Sequence, residues 1–344
     1  MSSPMPMVTI AMPAFNEERF IETCIRSVWE QDYPRERIEI LVADGRSTDR
    51  TREILEDLAR QDPRIRMIDN PERLQAAGLG HIVKQARGDI IVRMDVHCEY
   101  ATDYVRKCVA TLDATGADNV GGAQRAKAKT SFQEALCAAL GSPLGVGGAA
   151  YRSATAEGFV DTVFLGAFRR AVFERVGLWD PAAATNEDAE LNQRILETGG
   201  KIYLSRDIVV HYFPRDSFRT LAKQYFRYGQ GRARTLLKRG AFPKLRPLIP
   251  FFLVSGAAAM LLLPPAWPLL PPAVAGYLLA SGAEAVRVAA PLGPRAVATA
   301  MAIFPILHFS HGSGFAAGLW RYLRQPDWPA EPELLPPRAH LRAV

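Results

Sequence analysis

The sequence predicts an α/β fold, a mainly parallel sheet flanked by helices, with a hydrophobic, membrane-associated helical region after it. Short apolar runs at 7–12, 38–43, 65–68 and 89–94 alternate with segments whose apolar residues recur at helical spacing. Asn16-Glu17, Asp44-Gly45 and Asp95-Val96-His97 stand at the C-terminal ends of three of these runs. Ligands of open α/β sheets bind outside those ends. Further on, 247–283 and 296–320 carry no charged residue.

The elements follow in order. The run at 7–12 is a strand ended by Pro13. Asn16 is placed to cap the next helix, with Glu17 and Glu18 in its first turn. Phe20, Cys24, Ile25, Val28 and Trp29 form its inner face. After the strand at 38–43, Ser47 or Thr48 caps a helix that turns Ile54 and Leu58 inward. A short strand at 65–68 and a helix at 78–87 lead to the strand at 89–94 and to Asp95. The pair Glu187-Asp188 opens a helix whose apolar face is Leu191 and Ile195. The glycine-rich stretch at 141–148 reads as a mobile loop near the active site or as an ordinary connector.

Composition narrows the class. The chain has 344 residues, 48% of them hydrophobic, and a net charge of +6. Its first residues, MSSPMPMVTIAM, lack the basic segment of a signal peptide, so the first ~240 residues are expected in the cytoplasm. Cys24, Cys98, Cys108 and Cys137 show no metal-like or paired spacing and read as reduced structural thiols. Between 217 and 283 there is no acid, while nine Lys and Arg residues run from Arg219 to Arg246. Basic residues beside a span mark its cytoplasmic side, and each attracts anionic headgroups by ~1 kcal/mol. Their place directly before a membrane-length run argues against nucleic acid as the partner. The 37 residues of 247–283 offer two short crossings, 250–263 and 267–283, or a re-entrant hairpin followed by an interfacial helix. The 25 residues of 296–320 fit one span or a re-entrant segment. Buried core helices are the alternative for both. With Arg321, Arg324, Arg338 and Arg342 in the tail, an even number of crossings is expected, three being the rival count.

Neither a P-loop nor a G-x-G-x-x-G after a strand is present. A nucleotide would have to be held another way, and a divalent cation between phosphates and carboxylates is the obvious substitute.

Four segments, MPAFNEERFIETCIRSVWEQDYP, ILVADGRSTDRT, GDIIVRMDVH and TNEDAELNQRI, occur in this order. Together they resemble the family 2 inverting glycosyltransferases with the GT-A fold, especially succinoglycan-type exopolysaccharide enzymes, over about residues 7–230. The resemblance implies a catalytic domain at 1–230 that binds a nucleotide-diphosphate sugar. A basic juxtamembrane segment and membrane helices would occupy 231–344. It implies that Pro13, Ala14, Asn16 and Glu17 line the nucleotide pocket and that Asp44 bonds the base or ribose. Asp95 and His97 take the place of the family's D-x-D metal motif, for Mg2+ or Mn2+, with histidine where the second acid stands. Side chains at i and i+2 of an extended segment would both face the diphosphate. Asp188 of the Glu187-Asp188 pair would be the general base, kept ionised by its helix N-terminus. Gln224 and Arg227 resemble the Q-x-x-R-W segment near acceptor and diphosphate, with Tyr228 replacing the tryptophan. Trp179-Asp180 would lie near the acceptor or in the core.

The implied reaction moves a sugar from a nucleotide diphosphate to a lipid-linked or growing saccharide acceptor, in exopolysaccharide or cell-surface glycan synthesis. The implied location is the inner membrane, with the catalytic domain cytoplasmic. A polyprenyl-phosphate glycosyl synthase is the nearest rival. A nucleotidyltransferase or a non-catalytic nucleotide-sugar sensor is the reading from another class.

Overall fold

The first apolar run becomes strand β1 (Val8–Ala14), and the second becomes β2 (Ile38–Asp44), every residue of which is buried. A strand covered on both faces has no polar side, which is why IEILVA reads as a nearly continuous apolar run. Seven more strands follow: β3 (Ile65–Asp69), β4 (Ile90–Arg93), β5 (Cys98–Tyr100), β6 (Asn119–Ala126), β7 (Gly158–Phe159), β8 (Phe164–Arg169) and β9 (Ile202–Tyr212). They form one sheet in the order β3-β2-β1-β4-β8-β6-β9-β5, with β7 on β9. β3, β2, β1 and β4 pair in parallel. β8 pairs antiparallel with both β4 and β6, and β7 does so with β9. The expected parallel sheet is therefore the first half of a mixed one. Register sets Ala14, Asp44 and Asp69 level at one end of the parallel half. At the opposite end buried Glu39 accepts from Thr9 Oγ1 at 2.6 Å, Arg66 Nη2 at 3.1 Å and Gly88 N at 3.2 Å. That acid fastens the turn into β4.

The computed structural model describes residues 5–146, 150–153, 155–240 and 246–337. Two compact units result. The first holds the chain up to Gln124, Ala154–His211 and the stretch from Trp328 onward. The second holds Arg125–Ser153 and Tyr212–Asp327.

The first unit contains helices α1 (Ile21–Trp29), α2 (Thr51–Gln61), α3 (Gln75–Gln85) and α4 (Tyr104–Thr115). In the second, α5 (Ser131–Leu140) and α6 (Pro143–Val146) follow. The chain returns to the first unit for α7 (Arg170–Val176) and α8 (Glu187–Glu197). Two expected caps are not formed. α1 begins at Ile21, five residues after Asn16, and Asn16 instead takes a left-handed conformation (φ 56°). Its Oδ1 accepts from Thr48 N at 2.8 Å, and its own N donates to Ser47 Oγ at 2.8 Å. The hydroxyl residues read as caps of α2 thus tie two loops together. Asp49 accepts from Thr51 N at the start of α2. α3 starts three residues earlier than the expected 78. The glycine-rich 141–148 is ordered through Val146, since α6 packs Gly145 against Ala139; residues 147 and 148 lie outside those described. All four cysteines are free thiols, with Cys24, Cys98 and Cys108 buried.

The second unit continues with α9 (Phe218–Arg239), α10 (Ile249–Leu262), α11 (Leu270–Ala289) and α12 (Pro294–Arg324). Ser217 caps α9 and Thr130 caps α5. Ala296, Ala300, Ile303, Phe304 and Leu307 of α12 share a core with α5, α9 and α11. Glycines bring α9 and α12 into backbone contact. A Cβ on Gly229 would lie 2.1 Å from His311 O, and one on Gly314 would lie 2.0 Å from Phe226 O. One face of the uncharged 296–320 run is therefore packed inward against α9 and its neighbours, while Met301, Phe309 and Trp320 stay exposed. A Gly314→Val chain should be less stable by about 1–3 kcal/mol, because backbone on both sides cannot give way. Thermal unfolding read by circular dichroism checks this, and an unchanged midpoint would mean the helices are not so closely packed.

By contrast α10 contributes no buried residue, and α11 buries only Ser281, Ala285 and Ala289. Among the described residues one stretch, Pro264–Leu292, is long and apolar enough to cross a membrane; Arg246–Leu262 is apolar but shorter.

Candidate active site

The C-terminal ends of β1, β2 and β4 carry the sequence-predicted acids. Asp44, the last residue of β2, is fully buried. Its carboxylate accepts from Ser47 N at 3.2 Å and from Arg52 Nη1 at 2.9 Å. It therefore braces the loop after β2, where Arg46 adopts φ 57° and pairs with Asp69. Pro13 and Ala14 end β1 beside it. Glu17 donates its N–H to Thr51 Oγ1 at 2.7 Å, and its Oε1 meets His97 Nε2 at 2.8 Å. Its Oε2 is buried without a hydrogen-bond partner.

Arg93, the last residue of β4, joins most of the remaining acids. It was not singled out from the sequence, although an arginine inside the apolar run IIVRM was the available signal. Its side chain is 4% exposed. Its Nε and Nη2 donate to Asp95 Oδ1 and Oδ2 at 2.9 and 3.1 Å, a two-pronged grip. Its Nη1 reaches Glu187 Oε1 at 3.2 Å and Asp188 Oδ2 at 2.5 Å. Gln75, another residue the sequence reading missed, donates to Asp95 Oδ1 at 3.0 Å. Residues 96–97 form a turn, so the extended geometry expected for Asp95 and His97 is not present: Asp95 faces Arg93, and His97 faces Glu17.

Glu187 and Asp188 open α8 as expected, after a left-handed Asn186 (φ 67°). Trp179 lies in the core. It packs on Phe168 and Phe173, with centroids 5.3 and 4.9 Å away, and its Nε1 donates to Asp188 Oδ1 at 3.0 Å. Each Asp188 oxygen accepts one hydrogen bond and keeps one acceptor direction open. The directions of the pKa shifts run against the helix-dipole expectation. Burial raises the pKa of Glu187, and the charge of Asp188 raises it further against Arg93. Burial also raises Asp188, opposed by Arg93 and the Trp179 bond. Desolvation outweighs the helix end because a buried charge loses more in hydration than a half-charge dipole returns.

Gln224 and Arg227 lie on α9 in the second unit. Gln224 Nε2 donates to Tyr228 OH at 2.9 Å, so the tyrosine in the tryptophan's place holds the glutamine.

Among the described residues no three His, Cys, Asp or Glu side chains converge as a preformed metal site. Asp95 Oδ2 keeps one open acceptor direction, and Arg93 offsets only one of the three carboxylates it holds. That free carboxylate lone pair suits a divalent ion that takes its other ligands from phosphates.

Comparison with known proteins shows the family. The glycosyl transferase family 2 model matches residues 9–177. The succinoglycan biosynthesis protein ExoA of Rhizobium meliloti (strain 1021) is 34% identical over 320 residues, covering 91% of this chain and 94% of the relative. The chain belongs to glycosyl transferase family 2. A dolichyl N-acetyl-α-D-glucosaminyl phosphate 3-β-D-2,3-diacetamido-2,3-dideoxy-β-D-glucuronosyltransferase of Methanococcus voltae is 29% identical, over 72% of this chain and 78% of the relative. Among solved structures, the mannosyltransferase PcManGT from Pyrobaculum calidifontis, in complex with GDP-Man and Mn2+, shares the fold. Its TM-score is 0.59 at 22% identity, over 92% of this chain and 88% of the other. The enzyme is a glycosyltransferase with the GT-A-like fold that the four sequence segments indicated.

Proposed function

We propose that the enzyme transfers a sugar, with inversion, from a nucleoside-diphosphate donor to a hydroxyl of a lipid-linked or growing saccharide, at the cytoplasmic face of the inner membrane. The observation that carries this reading is the Arg93 bridge, which joins the donor-side acid Asp95 to the base candidate Asp188. Relatives named for succinoglycan biosynthesis and for a lipid-phosphate-linked sugar acceptor support the acceptor class. The GDP-Man and Mn2+ of the structural neighbour support the donor class and the cation.

In this reading Pro13, Ala14, Asn16 and Glu17 line the nucleotide pocket, and Asp44 sets its loop. Asp188 takes the proton of the acceptor hydroxyl through an open lone pair. The new C–O bond forms at the anomeric carbon as its bond to the diphosphate oxygen breaks, and the diphosphate leaves with the electron pair. Mg2+ or Mn2+ bound at Asp95 would neutralise that leaving charge, His97 would stand beside the phosphates, and Gln224 and Arg227 would serve acceptor and diphosphate.

Asp95→Ala should abolish turnover together with metal-dependent donor binding, whereas His97→Ala should lose less. Donor titration with and without Mn2+ checks this; parental metal-dependent binding by Asp95→Ala would remove Asp95 from the metal site. The pH dependence has a definite sign. A base works ionised and the Asp188 pKa is raised, so kcat/KM in the free enzyme should fall on acidification at a pH above the ordinary carboxylate value near 4. An acidic limb at or below pH 4 would argue against a buried base. Screening nucleotide sugars for metal-dependent transfer in membrane extracts tests the whole reading. Donor binding without turnover would leave the sensor.

A further inference from the structure

The chain leaves the first unit after His211 and rejoins it at Trp328. The returning segment is built into that unit. Glu333 O accepts from Leu178 N at 2.8 Å, Leu335 N donates to Phe173 O at 3.1 Å, and the Glu333 carboxylate pairs with Lys84 at 2.8 Å. Leu335 is 2% exposed. Both ends of the helical unit are thus fastened to the same catalytic unit, and whatever enters a membrane between them must come back.

Helix α12 does not make the return crossing. Its contacts with α9 advance together, from Phe226 with Gly314, through Gly229 with Phe315, to Ala233 with Gly318 and Arg234 with Asp327. The two helices run in the same direction side by side. α9 carries Lys223, Arg227, Arg232, Arg234, Lys238 and Arg239. A bilayer crossing by α12 would draw its packed partner's cations into hydrocarbon, where charged side chains are strongly disfavoured. On the other side α12 leaves Met301, Phe309, Trp320 and Leu323 exposed, beside Arg321 and Arg324. Apolar and basic residues in that mixture suit a helix lying in a lipid surface.

The segment between them is of another kind. Ile249, Phe252, Leu261, Leu262, Leu278 and Leu279 are more than half exposed, and no charge occurs from Pro247 to Ala283. Charges return at Arg246 before the segment and at the Glu284–Arg287 ion pair after it. At the turn between α10 and α11, Trp267 Nε1 donates to Leu261 O at 3.1 Å, so both polar groups are satisfied without water, as a bilayer would require.

We infer, resting on the membrane reading above, that α10 and α11 enter the bilayer as an out-and-back pair with its turn at 263–269. α12 lies flat beside α9 at the lipid surface, and residues 249 and 292 emerge on the catalytic side. The partner is a bilayer with anionic headgroups facing α9.

Single cysteines test this in full-length protein with Cys137→Ser, reconstituted in sealed vesicles of phosphatidylethanolamine and phosphatidylglycerol. Glu56→Cys on the catalytic unit is the reference, and Ile249→Cys, Leu262→Cys and Leu292→Cys are the probes, all at exposed positions. An impermeant maleimide should label 249 and 292 from the side that labels 56. Label at 292 only from the opposite side would overturn the return and leave membrane binding intact. A dye at Phe309→Cys, midway along α12, should be quenched by shallow lipid quenchers; quenching by mid-bilayer quenchers would make α12 a span. Release of the protein by alkaline carbonate, with 262 open to aqueous label, would overturn both the pair and the membrane reading.

Discussion

Replacing Arg93 by methionine should cost about 3–5 kcal/mol of stability, because the carboxylates it holds would be left without their buried counter-charge. The loss should shrink on acidification. Glu187 and Asp188 have raised folded-state pKa values, so they take up protons as the pH falls and the repulsion they feel is removed. Turnover should fall with it, since Asp188 and Asp95 take their mutual placement from this one side chain. Arg93→Lys keeps the charge but not the two-pronged grip on Asp95, and should recover stability more than rate. Urea unfolding at two pH values, alongside kcat and KM, separates these effects. A fully stable and active Arg93→Met chain would show that the bridge is incidental.

Asp188→Asn should lower the chemical rate by roughly 10²–10⁴, the usual contribution of a general base. Donor affinity should stay near the parent's, because the amide is isosteric and its carbonyl can still accept from Trp179. Single-turnover rates together with donor titration read the two quantities separately. If the substitution mainly weakened donor binding, Asp188 would belong to the nucleotide or metal site. Substantial remaining turnover would favour the polyprenyl-phosphate acceptor, whose phosphate needs little help from a base.

How far the sequence foretold this site depended on range. Apolar runs with acids at their ends located β1, β2 and β4, because a strand buried on both faces must be apolar and its end is where polarity resumes. The start of α8 at Glu187 was equally plain. The caps were misread because Asn16, Ser47 and Thr48 were assigned to their nearest helices, while they bond across 31 or 32 residues to one another. Arg93 went unread because a buried arginine gains meaning only from partners 94 and 95 residues away. The packed face within 296–320 was not legible, because lack of charge marks a face turned to lipid and a face turned to α9 alike. The glycine contacts show which face meets α9.

In the proposed transfer a single displacement occurs at the anomeric carbon, with Asp188 activating the acceptor. The configuration of the transferred sugar tests it most directly. With an α-linked nucleotide sugar as donor, proton NMR of the isolated product should show a β linkage from the first turnover. An α-linked product would contradict the account, since retention requires a second displacement or a different reacting face, and Asp188 would no longer be the base of an inverting transfer.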